Sequence, residues 1–347
     1  MNRPRRVFLI AAISLCVPLA GHGSGYPRVM ELAAAGPLSA AASAATPQPA
    51  PGPGVSYVTF MGDHLTLYPW SGQLVTLLTP TRDLDAKVMG QVLSVFDGVY
   101  EYYDRTTGNR PDPAKTFDGR DTIAVVNLTC GAGCGYLGFT GIELDPGTFD
   151  ALYSGVLAKN QFDQVVFYEF GRNFWFYDAQ IQYQPPDSQS SVATGYAVFM
   201  RFMAMDATHV RPGPYLGHDF AFFRASVENL VDQYEADPSL DWDNTLRAGN
   251  WPTNQPFGLK STDLFASFLL RLTKAFGSRF VDHVWIEVGK RPAAGSTQQA
   301  VDNFVLAASA AAGANLVEIF GSRWRWPVSL QAKEEARTRF GKPIDSL

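Results

Sequence analysis

The side chains best placed for chemistry are a tyrosine, a glutamate and an arginine in the apolar stretch 162–178. Glu169 and Arg172 are three residues apart and Tyr168 and Arg172 are four apart, so on a helix Arg172 reaches both. The set could provide a general base, a hydroxyl donor and an anion clamp. The alternative is a buried ion pair, because a charge in an apolar helix needs a partner. Pairing with arginine predicts a lowered pKa for Glu169.

Further polar candidates flank this helix. Glu143 or Asp145 could be a second carboxylate and Tyr196 a second catalytic hydroxyl, for hydrolysis of a glycan or an acidic substrate. The glycine-rich segment 135–144 is predicted to be a strand beside the helix, lining a cleft, with a barrel-corner strand as the alternative. The candidate substrate contacts on these elements are Gly138, Gly141, Glu143, Asn173 and Thr194.

Hydrophobic patterns predict an α+β protein. Alternating segments at 55–60 and 64–68 indicate a hairpin, and further strands are expected at 74–78 and 121–128. Asp83 is expected to cap a helix that runs to about Asp104. The stretches 162–178 and 192–205 are apolar on most faces, which predicts a central pair of buried helices. Later helices are expected at 220–234, 262–276, 280–287, 297–312 and 316–320.

The chain begins with the pattern of an export signal. Basic residues at positions 3, 5 and 6 precede an apolar run from 7 to 20, and a glycine-rich break follows. The predicted organisation is an export signal peptide at 1–25, an Ala/Pro-rich linker at 26–54, a β/α lobe at 55–210 and a helical lobe at 211–347. We therefore expect a secreted, periplasmic or extracellular protein, by the general secretory or the twin-arginine route. No other segment is apolar for long enough to span a membrane.

Charge and cysteine content narrow the partners. The formal net charge is −5 and becomes more negative once the basic signal is removed, so nucleic acid is not an expected partner. Cys130 and Cys134 are the two cysteines beyond the signal, and in an oxidising compartment they should form a small disulfide loop. A metal pair is the alternative, but it lacks partner ligands, since no two histidines are three or four residues apart.

Three segments, spread over about 55–330, resemble the gluzincin branch of the zinc metallopeptidases, particularly the secreted enhancin and mucin-degrading type. Segment 168–175 is similar to the family's active-site helix, which has histidine at its first and fifth positions. Segment 192–199 is similar to the next helix, where the family has a glutamate ligand just before Gly-aromatic-Ala. Segments 314–320 and 324–329 resemble the family's closing helix and Trp-Pro segment.

The resemblance implies a zincin-like fold with a β-rich N-terminal part, but all three zinc ligands are replaced. Tyr168, Arg172 and Thr194 occupy those positions, and only Glu169 of the motif is retained. Arginine has no lone pair for a metal, and a zinc site needs three protein ligands. We therefore expect no metal or cofactor, with Arg172 in the metal's place joining two helices through Thr194 or Tyr196. The inherited cleft would bind peptide or glycan; the alternative is a metal-independent hydrolase with Glu169 as general base.

Overall fold

A seven-stranded mixed sheet lies against a largely helical remainder in the computed structural model, which describes residues 49–251 and 257–347. The predicted export signal and most of the predicted linker lie outside the described residues. The strands are β1 (Val55–Val58), β2 (His64–Ser71), β3 (Val75–Thr79), β4 (Thr116–Phe117), β5 (Arg120–Val125), β6 (Gly133–Gly135) and β7 (Ile142–Leu144). Their order is β1-β2-β3-β5-β7-β6, with β4 paired to β5. The pairs β3–β5 and β5–β7 are parallel and the others antiparallel, which leaves β6 at an edge.

A long helix lies between β3 and β4, and further helices supply most of the described chain after β7. They are α1 (Ala86–Thr107), α2 (Pro146–Lys159), α3 (Val165–Asn173), α4 (Asp178–Ile181), α5 (Ser190–Ala207), α6 (Phe220–Glu228), α7 (Leu230–Ala236), α8 (Ser261–Phe276), α9 (Ser278–Gly289), α10 (Thr297–Ala312) and α11 (Leu330–Phe340). A short parallel pair joins β8 (Gln161–Phe162) to β9 (Arg211–Pro212), and π-helical turns lie at Asp243–Arg247 and Ile319–Arg323. The α+β class is confirmed, and the described residues belong to one compact unit. The division into lobes at 210 stays a prediction.

Two helix starts differ from the sequence-based prediction. The side chain of Asp85, not Asp83, accepts the N–H groups of residues 87 and 88 and so caps α1. Helix α2 was not predicted, although its start is specified locally: Asp145 accepts the N–H groups of residues 147 and 148, and Pro146 takes the first helical position. Asp145 is therefore a helix cap and not a second catalytic carboxylate.

The predicted strand at 135–144 is wrong. The segment forms two short strands, β6 and β7, joined by a turn, because Gly138 and Gly141 adopt φ values of 78° and 112°. These angles lie in the region that favours glycine and interrupt an extended ladder. The turn folds β7 back between β5 and β6, so β6 becomes the edge strand beside α3.

Helices α3 and α5 form the buried pair at the centre, and two glycines set their spacing. A Cβ on Gly171 would lie 2.9 Å from the Cα of Ala197 on α5. A Cβ on Gly195 would lie 2.8 Å from the Cβ of Phe265 on α8. Because backbones this close leave no room for a side chain, α3, α5 and α8 pack as a tight layer. This layer fixes the side chains that surround the candidate site.

The disulfide between Cys130 and Cys134 is present, and it closes the loop that leads into β6. We expect mass spectrometry of the purified exported protein, alkylated without reductant, to show both cysteines unmodified. The Cα atoms of Cys130, in the loop, and Cys134, on β6, lie 5.5 Å apart, a separation that suits a disulfide. Two alkylated cysteines would show that the loop is open.

No helix among residues 49–251 and 257–347 is both long enough and apolar enough to cross a membrane.

Candidate active site

Glu169 and Arg172 reach out from α3 to the backbone of the edge strand. The amide of Asp145 donates to the carbonyl of Ala132 across the β6–β7 pair. Because the ladder alternates, the polar backbone groups of Gly135 point away from β7. The Gly135 N–H donates to Oε2 of Glu169 at 2.8 Å, and Nε of Arg172 donates to the Gly135 carbonyl at 2.9 Å. Glu169 and Arg172 therefore satisfy both backbone polar groups of Gly135 at the edge of the sheet.

The predicted ion pair is present within this arrangement. Nε of Arg172 lies 3.7 Å from Oε2 of Glu169, and the side chains are 29% and 6% exposed, respectively. Arg172 thus joins α3 to β6, and the predicted link to Thr194 or Tyr196 is not the one observed. Gly135 makes the approach possible, since a Cβ there would lie 3.0 Å from the backbone oxygen of Glu169.

The expectation of a lowered pKa for Glu169 is wrong. Burial raises the pKa of Glu169 to about 7, and it outweighs both the nearby Arg172 and the Gly135 N–H, which lower it. The carboxyl group is nearly enclosed between a helix and a strand, where the charged form loses hydration. Its proton affinity therefore lies in the range that a general base uses near neutral pH.

A cleft of about 310 Å³ opens between α3, α5, α8 and the loop before β6, and we name it the α3 cleft. Its volume suits a small ligand or one residue of a larger one. Val165, Val198, Ala132 and Gly133 supply its apolar and backbone surface. Its polar lining consists of Gln164, Tyr168, Glu169, Thr194, Arg201, Tyr215 and Asp263.

Three of the residues predicted from the motif share this cleft. Tyr168 and Glu169 line it from α3, and Thr194 lines it from α5. Burial raises the pKa of the Tyr168 phenol, although Arg172 and Arg201 oppose the rise. The hydroxyls of Tyr168 and Thr194 are therefore neutral hydrogen-bonding groups beside the Glu169 carboxyl.

Glu143 lies on the other face of the sheet. Side chains alternate along β7, so Ile142 and Leu144 pack with the helices, whereas Glu143 shares its face with Ala124 and Tyr57. Its Oε1 accepts the Tyr57 hydroxyl at 3.0 Å, and burial raises its pKa. The proposed carboxylate pair of Glu169 and Glu143 is therefore not assembled.

Three other predicted contacts belong to the turn between β6 and β7. Nδ2 of Asn173 donates to the carbonyl of Tyr136 at 3.1 Å and to that of Gly141 at 3.3 Å. The N–H of Gly138 donates to the carbonyl of Arg172 at 3.2 Å. Asn173, Gly138 and Gly141 thus hold the turn against the end of α3 and do not border the α3 cleft.

Tyr196 is a core residue. It is fully buried, and its hydroxyl donates to the carbonyl of Phe174 at 3.0 Å. Its ring packs against Trp175, Tyr177 and Trp285. Although it is one helical position from Gly195, it faces α9 rather than the cleft, so it cannot serve there as a hydroxyl donor.

Sequence reasoning missed Arg201, which lines the α3 cleft from α5. It is only 5% exposed, and one of its terminal nitrogens donates to Oε1 of Gln164. The rings of Tyr168, Phe202, Tyr215 and Phe223 surround its guanidinium, with centroids 4.9–5.9 Å away. The available signal was a single charge in the otherwise apolar run 192–205.

Zinc does not fit the residues at the family's ligand positions. Arg172 stands where the gluzincin helix has its second histidine. Its Nε carries a hydrogen, which it donates to the Gly135 carbonyl, so it has no lone pair for a metal. Tyr168 and Thr194 offer neutral hydroxyls, which are poor substitutes for imidazole and carboxylate. Within 49–251 and 257–347, no three histidine, cysteine, aspartate or glutamate side chains are grouped so as to hold a metal ion.

A larger groove of about 810 Å³ lies between the ends of α1, α5, α6, α8 and α9. Its charged side chains are largely paired with one another: Arg224 binds Asp206 and Glu228, and Arg271 binds Asp232. None of the motif residues lines it. We therefore assign the candidate site to the smaller α3 cleft.

Comparison with known proteins gives the fold but no family. No family model matches the chain, and no curated protein matches it significantly. The crystal structure of a conserved protein of unknown function from Bacillus anthracis str. Ames is similar over 81% of this chain and 53% of that one, with TM-score 0.54 and 11% identity. A mutant of a functionally unknown conserved protein from the same strain has TM-score 0.52 and 12% identity, over 80% of this chain and 52% of that one.

The M60 catalytic domain of Clostridium perfringens ZmpC, in complex with the sialyl T antigen, has TM-score 0.49 and 16% identity over 80% of this chain and 50% of that one. The chain thus spans about half the length of the solved structures it resembles. At these identities the likeness concerns the fold alone.

Proposed function

We propose that this chain is an exported, metallopeptidase-like binding protein that holds a peptide or glycan in the α3 cleft without cleaving it. The sequence resemblance supports the fold part of the proposal, since helices α3 and α5 carry the two ligand-bearing segments of the gluzincin pattern. The export pattern at 1–25 and the disulfide support its extracytoplasmic location.

One observation supports binding over catalysis most directly. Arg172 holds the Gly135 carbonyl, while Glu169 holds the Gly135 N–H and lies 3.7 Å from Arg172. Oε2 of Glu169 is therefore engaged by the strand and lies nearest to the arginine. Glu169 and Arg172 therefore join α3 to β6, which is a structural role, and the α3 cleft lies beside them.

The same contacts limit how a peptide could bind. An extended peptide that adds to a sheet edge needs free N–H and C=O groups on the edge strand. At Gly135 both groups are taken by side chains of α3. The backbone of Gly133, two residues earlier, borders the α3 cleft instead. A ligand is therefore expected to enter beside Gly133 and to contact Tyr168 and Thr194.

The second candidate is a metal-independent hydrolase. It is favoured by the pKa of Glu169, which burial raises to about 7. Its predicted partners are not in place, because Glu143 lies on the opposite face of the sheet and Tyr196 lies in the core. Within the α3 cleft, Asp263 is the other carboxylate, and burial raises its pKa as well.

Substitution Glu169→Gln separates the two candidates, because it keeps the side chain's shape while removing its basicity. Ligands are first found for the wild-type protein on glycan and peptide arrays, and each hit is then incubated with both proteins and examined for cleavage. We expect affinities that change only modestly and no turnover by either protein. If Glu169 is a general base, the wild type cleaves a ligand and the variant loses about 10²–10⁴ in rate.

A further inference from the structure

The most unusual charge in the described chain is Arg201. Three partly buried arginines have a carboxylate close by: Arg224, Arg291 and Arg323 each have a carboxylate oxygen within 2.8 Å. Arg201 is more buried than these, yet among the described residues no carboxylate lies within 4.0 Å of its guanidinium. Its Nε has no hydrogen-bond partner. A buried cation without an anionic partner is unfavourable unless something else supplies the charge.

The acidic groups that face Arg201 are already committed to other donors. Asp263 accepts the N–H of Lys260 at 2.9 Å, and Asp163 accepts the N–H of Val165 at 2.8 Å. Glu169 accepts the N–H of Gly135. Asp263 and Asp163 interact with Arg201 at longer range, and each interaction offsets the cost of the buried charges only in part. Among the described residues, no carboxylate forms a direct ion pair with Arg201.

Arg201 nevertheless borders an open space. It lines the α3 cleft together with Gln164, whose Oε1 accepts a hydrogen bond from one of its terminal nitrogens. Tyr168 and Tyr215 line the same cleft, and the centroids of their rings lie 5.9 Å from Cζ of Arg201. Rings and a hydrogen-bonded amide hold the fork in one orientation, and such a fork matches the geometry of a carboxylate.

We infer that the α3 cleft takes its ligand through a carboxylate that pairs with Arg201, while the hydroxyls of Tyr168, Thr194 and Tyr215 are available to its remaining polar atoms. This inference rests on the proposed binding function and narrows it to acidic ligands. The carboxylate has two possible sources, an acidic sugar or the C-terminus of a peptide. Both present the same planar anion to the guanidinium.

Two pairs of probes test the inference, each with the carboxylate present or masked. One pair is 3′-sialyllactose and its methyl ester, and the other is acetyl-trialanine as free acid and as amide. Binding is measured by calorimetry or NMR titration with the purified exported chain. A charge-assisted bond to arginine predicts that the acid of at least one pair binds about 10- to 100-fold more tightly than its masked partner. The pair that shows the preference identifies the source.

Substitution Arg201→Met should abolish that preference. The matched control is Arg224→Met, which removes the same charge beside the same Phe202 ring but lies outside the α3 cleft. It should keep the full preference. Arg201→Lys retains the charge without the fork and should keep part of it, which covers the case in which Arg201→Met does not fold.

Equal binding of acid and masked probes would overturn the inference while leaving the proposed binding function standing. A preference that survives in Arg201→Met would do the same, because the carboxylate would then be recognised elsewhere. If no probe binds the wild type at millimolar concentration, the inference fails, whereas the proposed function fails only if the glycan and peptide arrays also yield no ligand.

Discussion

Replacing Arg172 with alanine is expected to lower the free energy of unfolding by roughly 3–5 kcal/mol at pH 8, where Glu169 is ionised. The substitution leaves a buried carboxylate without its cation, and it also removes the donor to the Gly135 carbonyl. At pH 5 Glu169 is mostly protonated, so the loss should shrink to about 1 kcal/mol, the value of one hydrogen bond. Urea unfolding at the two pH values measures both losses.

Arg224→Ala is the matched control for this prediction. The side chain of Arg224 is 28% exposed, close to the 29% of Arg172, and it also pairs with carboxylates. Those partners, Asp206 and Glu228, are 52% and 47% exposed, so water can replace the arginine. The control should lose less than about 1 kcal/mol at either pH. Similar losses in the two variants would show that the Glu169–Arg172 pair is not structural.

Stability should fall as the pH rises from about 4.5 to 7, and Glu169→Gln should remove the part of that fall that Glu169 contributes. The pKa of Glu169 is about 7 in the folded protein against an ordinary value of 4.5. In this window the folded state holds a proton that the unfolded chain has released, so raising the pH favours unfolding. The shift from 4.5 to about 7 corresponds to roughly 3 kcal/mol.

Asp121 provides the comparison for the pH profile. It is also buried, burial raises its pKa to about 7, and its Oδ1 accepts the N–H of Gly141. When the free energy of unfolding is plotted against pH, the wild type and Asp121→Asn should therefore both show the part of the slope that comes from Glu169. Glu169→Gln should lack that part. Parallel profiles for wild type and Glu169→Gln would mean that Glu169 has an ordinary pKa.

The sequence was sufficient to predict the elements with strong periodicity. The apolar stretches that become α3 and α5 are long, and their charges stand out, so the pairing of Glu169 with Arg172 followed from spacing alone. Helix α2 was missed although Asp145 and Pro146 form a regular start signal, because the glycine-rich segment before it was assigned to one continuous strand.

The sequence could not predict which face of a strand or helix points toward the candidate site. Whether Glu143 points toward α3 depends on the register of β7 against β5 and β6, and a shift of one residue reverses it. The pKa of Glu169 could not be predicted either. Spacing reveals the nearby arginine, whereas the burial that outweighs it comes from β6.

Arg201 is a further residue that could not be assigned to the candidate site from the sequence. It was not singled out from the sequence, and its place in the cleft depends on three elements that meet only in the folded chain. Gln164 comes from the start of α3, Tyr215 from the loop after β9, and Asp263 from the first turn of α8. Without their positions the arginine could not be assigned to a cleft.

The zinc content of the purified exported protein tests the central proposal, that Glu169 and Arg172 join α3 to β6 and that the α3 cleft holds no metal. Elemental analysis after dialysis against a weak chelator is the measurement. Because Arg172 is bound to Gly135 and cannot ligate a metal, we expect no stoichiometric zinc. About one tightly held zinc ion per chain, of the kind that three protein ligands provide, would contradict the account.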